Sequence, residues 1–222
     1  MIELAIYDMD RTITRKATYT PFLIHAARTI APWRLALLPL AALAMAGYAV
    51  RLIDRKRLKE INQALLLGKV HGERLIPVAN AFATRTVARN LLPGALPAIA
   101  ADRAAGRRLV LATASYRFYV APIAARLGFD DVIATNSVVG LDARIVPRID
   151  GENNYGPAKL RMIEAWLAME GIDRADAHIR FYSDHASDAP VLEWADAPFA
   201  VNPSGKLRRL ARRRGWPLLD WN

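Results

Sequence analysis

Ile2-Glu3-Leu4-Ala5-Ile6-Tyr7-Asp8-Met9-Asp10-Arg11-Thr12 decides the fold: a strand-length apolar run that ends in two carboxylates one residue apart. In open α/β proteins the C-terminal edge of the sheet is where sites are built. Strand alternation puts residues two apart on one face, so Asp8 and Asp10 are expected to address a single small volume. Carboxylates that close repel, and the pair is tolerated where a cation shares the site or one acid stays protonated as a proton donor. An Asp-rich turn after a strand is the plainer alternative, and this short motif alone does not separate the two.

Composition narrows the class. A chain of 222 residues with 53% hydrophobic residues can bury one large domain or a core carrying a smaller insertion. No cysteine is present, which excludes disulfides and thiolate metal sites and fits a reducing compartment. Glu3 and Asp8 break any signal-peptide pattern at the N-terminus, so a cytoplasmic location is the default expectation. The net charge of +10 gathers between Arg51 and Lys59 and between Lys206 and Arg214. Such patches attract phosphates on nucleotides, lipid headgroups or nucleic acid, unless they are simply solvated helix faces.

Working outward from the first strand, further strands are expected at Arg108 to Thr113, Asp131 to Ala134, His178 to Tyr182 and Pro198 to Val201. Helices are expected between them at about Ala95 to Ala105, Phe118 to Leu127 and Ala158 to Met169. Val138-Val139 and Arg144-Ile145-Val146, separated by Gly140, read as a short hairpin. The pattern is α/β: a Rossmann-like, doubly wound, mainly parallel sheet. Pro21 to Asn90 carries no convincing strand and is rich in Ala, Leu and Arg, with Leu92-Pro93-Gly94 as the return point. The expected division is a core of residues 1–14 and 91–222 with an all-helical cap at 15–90.

Within that insertion, Leu35 to Val50 is sixteen residues without a charge, flanked by Arg34 and Arg51. It is shorter than the roughly twenty apolar residues of a membrane-spanning helix and contains Pro39 and Gly47. Burial in the cap's own bundle or in a dimer contact is the first expectation. The alternative is peripheral contact of residues 35–59 with the inner face of a membrane, the basic residues that follow lying on anionic headgroups.

Three later constellations bear on the Asp pair. Leu109-Val110-Leu111-Ala112 ends in Thr113-Ala114-Ser115, offering a hydroxyl and backbone amides to an anion, or a plain helix N-cap. Lys159 falls in the first turn of a helix, where the dipole disfavours a cation and an anionic partner would explain it. His178-Ile179-Arg180-Phe181-Tyr182 runs into Ser183-Asp184-His185 with Asp188 beyond, carboxylates at another strand end that suit a hard cation.

In this order the motifs Asp8-Met9-Asp10-Arg11-Thr12, Thr113-Ala114-Ser115, Lys159 and Ser183-Asp184 with Asp188 resemble the four motifs of the haloacid dehalogenase superfamily. The helical insertion after the first motif resembles the cap of its phosphoserine-phosphatase-like branch. The resemblance implies a Mg2+-dependent phosphatase that forms an aspartyl-phosphate on Asp8. Asp10 would then move the proton, while Asp8, Asp184 and the main-chain carbonyl of Asp10 hold the metal. Thr113, the amide of Ala114 and Lys159 would bind phosphate, with Ser183 and Asp188 in support. Relatives in that branch grip a substrate ammonium with a glutamate seven residues after the second aspartate; here that position is Ala17. Arg15, Lys16, Thr18 and Tyr19 stand nearby instead and favour an anionic or apolar leaving group. The expected substrate is a small or lipid-linked phosphomonoester, with a phosphatidylglycerophosphate-type lipid or phosphoserine as narrower alternatives. A rival function is a non-catalytic regulatory or nucleic-acid-binding protein, against which the completeness of the motifs argues. His185 has no assigned role beyond its loop, and the oligomeric state is left open.

Overall fold

The computed structural model describes all 222 residues. In chain order its elements are β1 (Ile2–Tyr7), α1 (Tyr19–Ile30), α2 (Leu38–Ala49), α3 (Arg55–Leu66), β2 (Val70–His71), α4 (Gly72–Arg89), α5 (Ala95–Ala104), β3 (Arg108–Tyr116) and α6 (Arg117–Leu127). There follow β4 (Asp131–Val139), β5 (Arg144–Asp150), α7 (Pro157–Met169), β6 (Ala177–Ser183), α8 (Ala189–Trp194), β7 (Ala197–Val201), α9 (Gly205–Arg214) and β8 (Leu218–Leu219). The strands form one sheet in the order β2-β5-β4-β3-β1-β6-β7-β8. From β4 through β8 every pairing is parallel, and β5 turns back antiparallel on β4 as the expected hairpin.

Alternation along β1 explains why the sheet is covered on both faces. Ala5 and Tyr7 belong to one core with Leu109 and Leu111 and with Tyr119, Val120 and Ile123 of α6. Leu4 and Ile6 belong to the other, with Val110 and Ala112 and with residues of α7, α8 and α9. Both faces are covered mainly by apolar side chains, as expected for a parallel strand buried on both sides, and the Tyr7 face also buries Asp102, which accepts from the hydroxyls of Tyr7 and Tyr182. From central β1 the chain's neighbours diverge, β3 on one side and β6 on the other. The crevice at their C-terminal ends is therefore the topological switch point, the place where such sheets bind ligands.

The insertion leaves and returns side by side. Thr14 bridges Leu91 antiparallel, Arg15 N donates to Asn90 O at 2.8 Å, and Leu92 N donates to Ile13 O at 2.9 Å. It is helical except for β2, whose Val70 and His71 pair antiparallel with β5 and extend the sheet by one short edge strand. Phe22 of α1 stacks on Tyr119 of α6 at 4.4 Å and meets Phe82 of α4 edge-on, so aromatic packing seats the insertion over α6.

Three expectations change in detail. The apolar run 35–50 is not one helix: a 3₁₀ segment at Pro32–Leu37 precedes α2. Neither is it buried, since Ala41 is the one buried residue of α2. And β3 does not stop at Thr113 but continues to Tyr116 through an irregularity in which Thr113 pairs with Ala134 and Tyr116 with Thr135. Two residues, Ala114 and Ser115, are thereby pushed out of the one-to-one ladder, a bulge of the kind that re-aims groups beside a site.

Candidate active site

The site begins where β1 ends. Asp8 N still donates to Tyr182 O at 2.9 Å, but the amides of Thr12, Ile13 and Thr14 all turn back to Met9 O. Arg11 sits at φ +68°, a left-handed conformation that closes this loop. Asp8 and Asp10 are thus placed by a tight turn rather than by strand alternation, and their carboxylates have separate partners. That corrects the basis on which one shared face was expected.

Asp8 is buried. Its Oδ1 accepts a hydrogen bond from Lys159 Nζ at 2.8 Å and its Oδ2 one from Thr12 Oγ1 at 3.2 Å. Lys159 reaches it from the first turn of α7, after Gly156 at φ +62° and Pro157, and is 2% exposed. The same ammonium donates to Asp188 Oδ2 at 2.7 Å, an oxygen that also accepts from Ser183 Oγ at 2.7 Å. Burial opposes the charge on Lys159, and Asp188 and Asp8 outweigh it, so its pKa is raised and it stays cationic. Burial likewise pushes Asp8 up to about 6 against the pull of Lys159.

Asp184 lies beside this pair. Its N–H donates to Thr12 Oγ1 at 3.0 Å, and its Oδ1 is 3.5 Å from the same hydroxyl. Burial, and then the charges of Asp8 and Asp188, push its carboxyl up to about 7. No three acidic or imidazole side chains form a metal cage. The donor set is instead two buried carboxylates joined by one hydroxyl, carrying more negative charge than Lys159 neutralises. A hard divalent cation fits that set by its preference for oxygen and by the charge it would offset.

Asp10 faces the insertion. Its Oδ1 accepts from both the N–H and the Oγ1 of Thr18 at 2.8 Å, and its Oδ2 from Ser115 Oγ at 2.8 Å. Tyr119 backs Thr18 at 3.2 Å. The bulge in β3 therefore has a purpose at the site: it presents Ser115 to Asp10 while Thr113 Oγ1 accepts from Ser115 N at 3.2 Å.

Another buried lysine completes the picture. Lys59 of α3 is 6% exposed and donates to Ala114 O at 2.6 Å and Asn153 Oδ1 at 2.7 Å, with its Nζ 4.3 Å from the Tyr116 ring centre. No carboxylate pairs with it; burial and then Arg55 hold its pKa well below the ordinary value. Tyr19 is tied to the same residue, its OH donating to Lys59 O at 2.7 Å.

Of the residues singled out in the sequence, Asp8, Asp184, Asp188, Ser183 and Lys159 form one connected cluster. Asp10 joins Ser115 on the bulge, and Ala114 touches Lys59. Arg15 and Lys16 do not join them. Arg15 Nε donates to Leu91 O at 2.9 Å, and Lys16 is exposed, with its main chain bonded to Asn90; both lace the two linkers together. Thr12, Thr18, Ser115 and Lys59 carry much of the geometry; of these the sequence offered Thr18 only as a neutral group beside the substrate and Ser115 only as part of the Thr113-Ala114-Ser115 strand end. Thr12 was signalled only by its place in the first motif. Lys59 was hidden in a cationic run. His185 accepts from Ser187 N through Nδ1 at 3.2 Å and caps a 3₁₀ turn, the loop role left for it.

This constellation at a switch point has counterparts among known proteins. A family model described as haloacid dehalogenase-like hydrolase matches residues 5–193. The chain belongs to that family. Among curated proteins, this haloacid dehalogenase-like hydrolase is 42% identical over 118 residues to "Inhibition of morphological differentiation protein" of Streptomyces azureus, covering 53% of this chain and 42% of that one. It is 25% identical over 156 residues to a histidinol-phosphatase of Neisseria meningitidis, covering 70% of each. The chain thus spans under half the length of the first of these relatives. Among solved structures, a Bordetella pertussis protein of unknown function matches over 100% of both chains at TM-score 0.91 and 28% identity. A substrate-bound phosphoserine phosphatase shares the fold at TM-score 0.64 and 17% identity, over 99% of this chain and 93% of that one.

Proposed function

We propose that the chain is a Mg2+-dependent phosphomonoester phosphatase that works through an aspartyl-phosphate on Asp8. The observation that carries this is the buried Lys159 held between Asp8 and Asp188 with Asp184 alongside. A phosphate dianion repels a carboxylate nucleophile, so positive charge must be fixed where the phosphoryl group is transferred. Lys159 supplies one such charge from a position set by two hydrogen bonds. When bound by Asp8, Asp184 and the carbonyl of Asp10, the divalent cation would supply the rest, neutralising phosphoryl oxygens.

In the first half-reaction Asp8 attacks phosphorus, the bond to the leaving oxygen breaks, and Asp10 delivers a proton to that oxygen. In the second, Asp10 takes a proton from water as the water attacks the phosphoryl group, and the bond to Asp8 breaks to release phosphate. Ser115 and Thr18 suit Asp10 to this work by holding both of its oxygens in place. Thr113 and the Ala114 amide would steady the phosphate. Asp188 and Ser183 aim Lys159.

Ala17 offers nothing to an ammonium, and Lys59 supports a leaving group that carries its own negative charge. Its amine lies beside the bulged loop with only neutral oxygens as partners, where burial disfavours its charge until an anionic group arrives to offset it. Phosphoserine is accordingly expected to be a poor substrate, and one with a second anionic group better. A residues 15–90 cap on a core of 1–14 and 91–222 suits this arrangement, with Lys59 reaching across to the core. The deciding assay is magnesium-dependent phosphate release from a generic aryl phosphate. Activity that Asp8→Asn abolishes supports the proposal; full activity in Asp8→Asn, or none in the native protein with magnesium, removes it.

A further inference from the structure

Solvent meets α2 on most of its surface. Of its twelve residues eight are exposed, among them Leu40, Leu43 and Met45. Leu43 is 68% exposed, Leu52 beyond the helix 80%, and Trp33 before it 64%. Apolar side chains of this size, exposed within one stretch of twenty residues, point to a contact with something.

We infer that this face docks on an anionic lipid surface, with α2 lying in the interfacial plane. Charge selects that occupant. The segment directly after α2 carries Arg51, Arg55, Lys56 and Arg57 against a single acid, Asp54, and three of those four cations are exposed. A second copy of the chain pressed face to face would bring two such cationic rims together, whereas anionic headgroups complement them. Twelve residues rise about 18 Å, well short of the roughly 30 Å of a bilayer's hydrocarbon, so α2 lies on a membrane rather than through it. No helix of the protein is long and apolar enough to cross one. Trp33 and Tyr48, at the two ends of the apolar stretch, are side chains of the type that sits at the headgroup boundary.

A cavity beneath the same helix agrees with this. An open pocket of about 340 Å³ is lined by Leu23 of α1, Leu38, Ala42 and Met45 of α2, and Asn62 and Leu66 of α3. Asn62 is 6% exposed and its Oδ1 has no hydrogen-bond partner. An apolar space with one unanswered acceptor suits part of a lipid chain with a hydroxyl near it.

Docking of this kind needs no catalysis, so its test stands apart from the phosphatase assay. The full-length protein is floated with vesicles of phosphatidylcholine alone or mixed in equal parts with phosphatidylglycerol. Binding to the anionic vesicles at low salt is expected, with little to the neutral ones. Leu40→Glu combined with Leu43→Glu should abolish it, and Arg51→Gln with Arg57→Gln should weaken it about 30-fold. Arg209→Gln with Arg212→Gln on α9 should leave it unchanged. Circular dichroism of each variant confirms a native fold, as these side chains are solvent-exposed. The inference is overturned by no flotation with anionic vesicles, by binding that survives the α2 glutamates, by binding lost with the α9 pair, or by a light-scattering dimer that the α2 glutamates split.

Discussion

Two lysines are buried in this protein to nearly the same depth, and they are held in opposite ways. Lys159 lies between two carboxylates, and its charge is fixed as part of the site. Lys59 lies against a carbonyl, an amide oxygen and an aromatic ring, with no anion to match it. A buried charge is costly until something compensates it. The first lysine has its compensation within the chain, which on the proposed function places it in the reaction; the second has none within the chain, which on the same proposal leaves it for the substrate.

Breaking Lys159 should have the larger effect. Lys159→Met leaves Asp8 and Asp188 buried without their cation, and stability should fall by about 3–5 kcal/mol in chemical denaturation. Phosphatase activity should fall with it by roughly 10³-fold, as on loss of a positioned charge-stabilising group. A variant of unchanged stability would show that the lysine is not the partner of those acids.

The acids themselves give the next effect, through pH. Asp8 and Asp184 have folded pKa values near 6 and 7, above the 3.8 of an unperturbed aspartate. A raised carboxyl binds its proton more tightly in the folded state, so this stability is complete below the unfolded pKa and lost as pH climbs through the folded values. In the presence of a chelator the melting temperature should drop between pH 5 and pH 8. Asp184→Asn should flatten that drop. Magnesium should restore stability most at the alkaline end, and a chelated protein with a level pH profile would contradict these assignments.

Lys59→Met is the mildest change and sharpens the contrast most. The one proton of Thr135 Oγ1 can still serve Ala114 O at 2.8 Å or Asn153 Oδ1 at 3.1 Å but not both, so stability should fall by about 1–2 kcal/mol, less than for Lys159. For a substrate bearing a second anionic group, KM should rise about tenfold while kcat changes little. An equal loss on an aryl phosphate whose aryl group bears no charge would place Lys59 at the reacting phosphate instead.

Much of the fold was legible because it rests on local patterns. β1, the helices around it and Lys159 in the first turn of α7 follow from apolar runs, Pro157 and the motif order. What was not legible depends on distance through space. Lys59 looked like one member of a solvated cationic run, since nothing in its neighbours says that α3 folds over the Ala114 loop. Thr12 and Ser115 gain their importance from the turn at Arg11 and the bulge in β3, neither of which has a periodic signature. α2 misled because an apolar helix reads alike whether its partner is a core or a surface. Arg15 and Lys16 misled because closeness in sequence to Asp10 suggested the site, whereas they lie on the linkers, bonded to Leu91 and Asn90.

Covalent phosphorylation of Asp8 is the central claim. The native protein should be mixed with magnesium and an aryl phosphate, quenched in acid within the turnover time, and digested for mass spectrometry. A single phosphoryl group on the peptide containing Asp8, absent from Asp8→Asn, is the predicted result. Rapid phosphate release with that peptide unmodified at every quench time would contradict it.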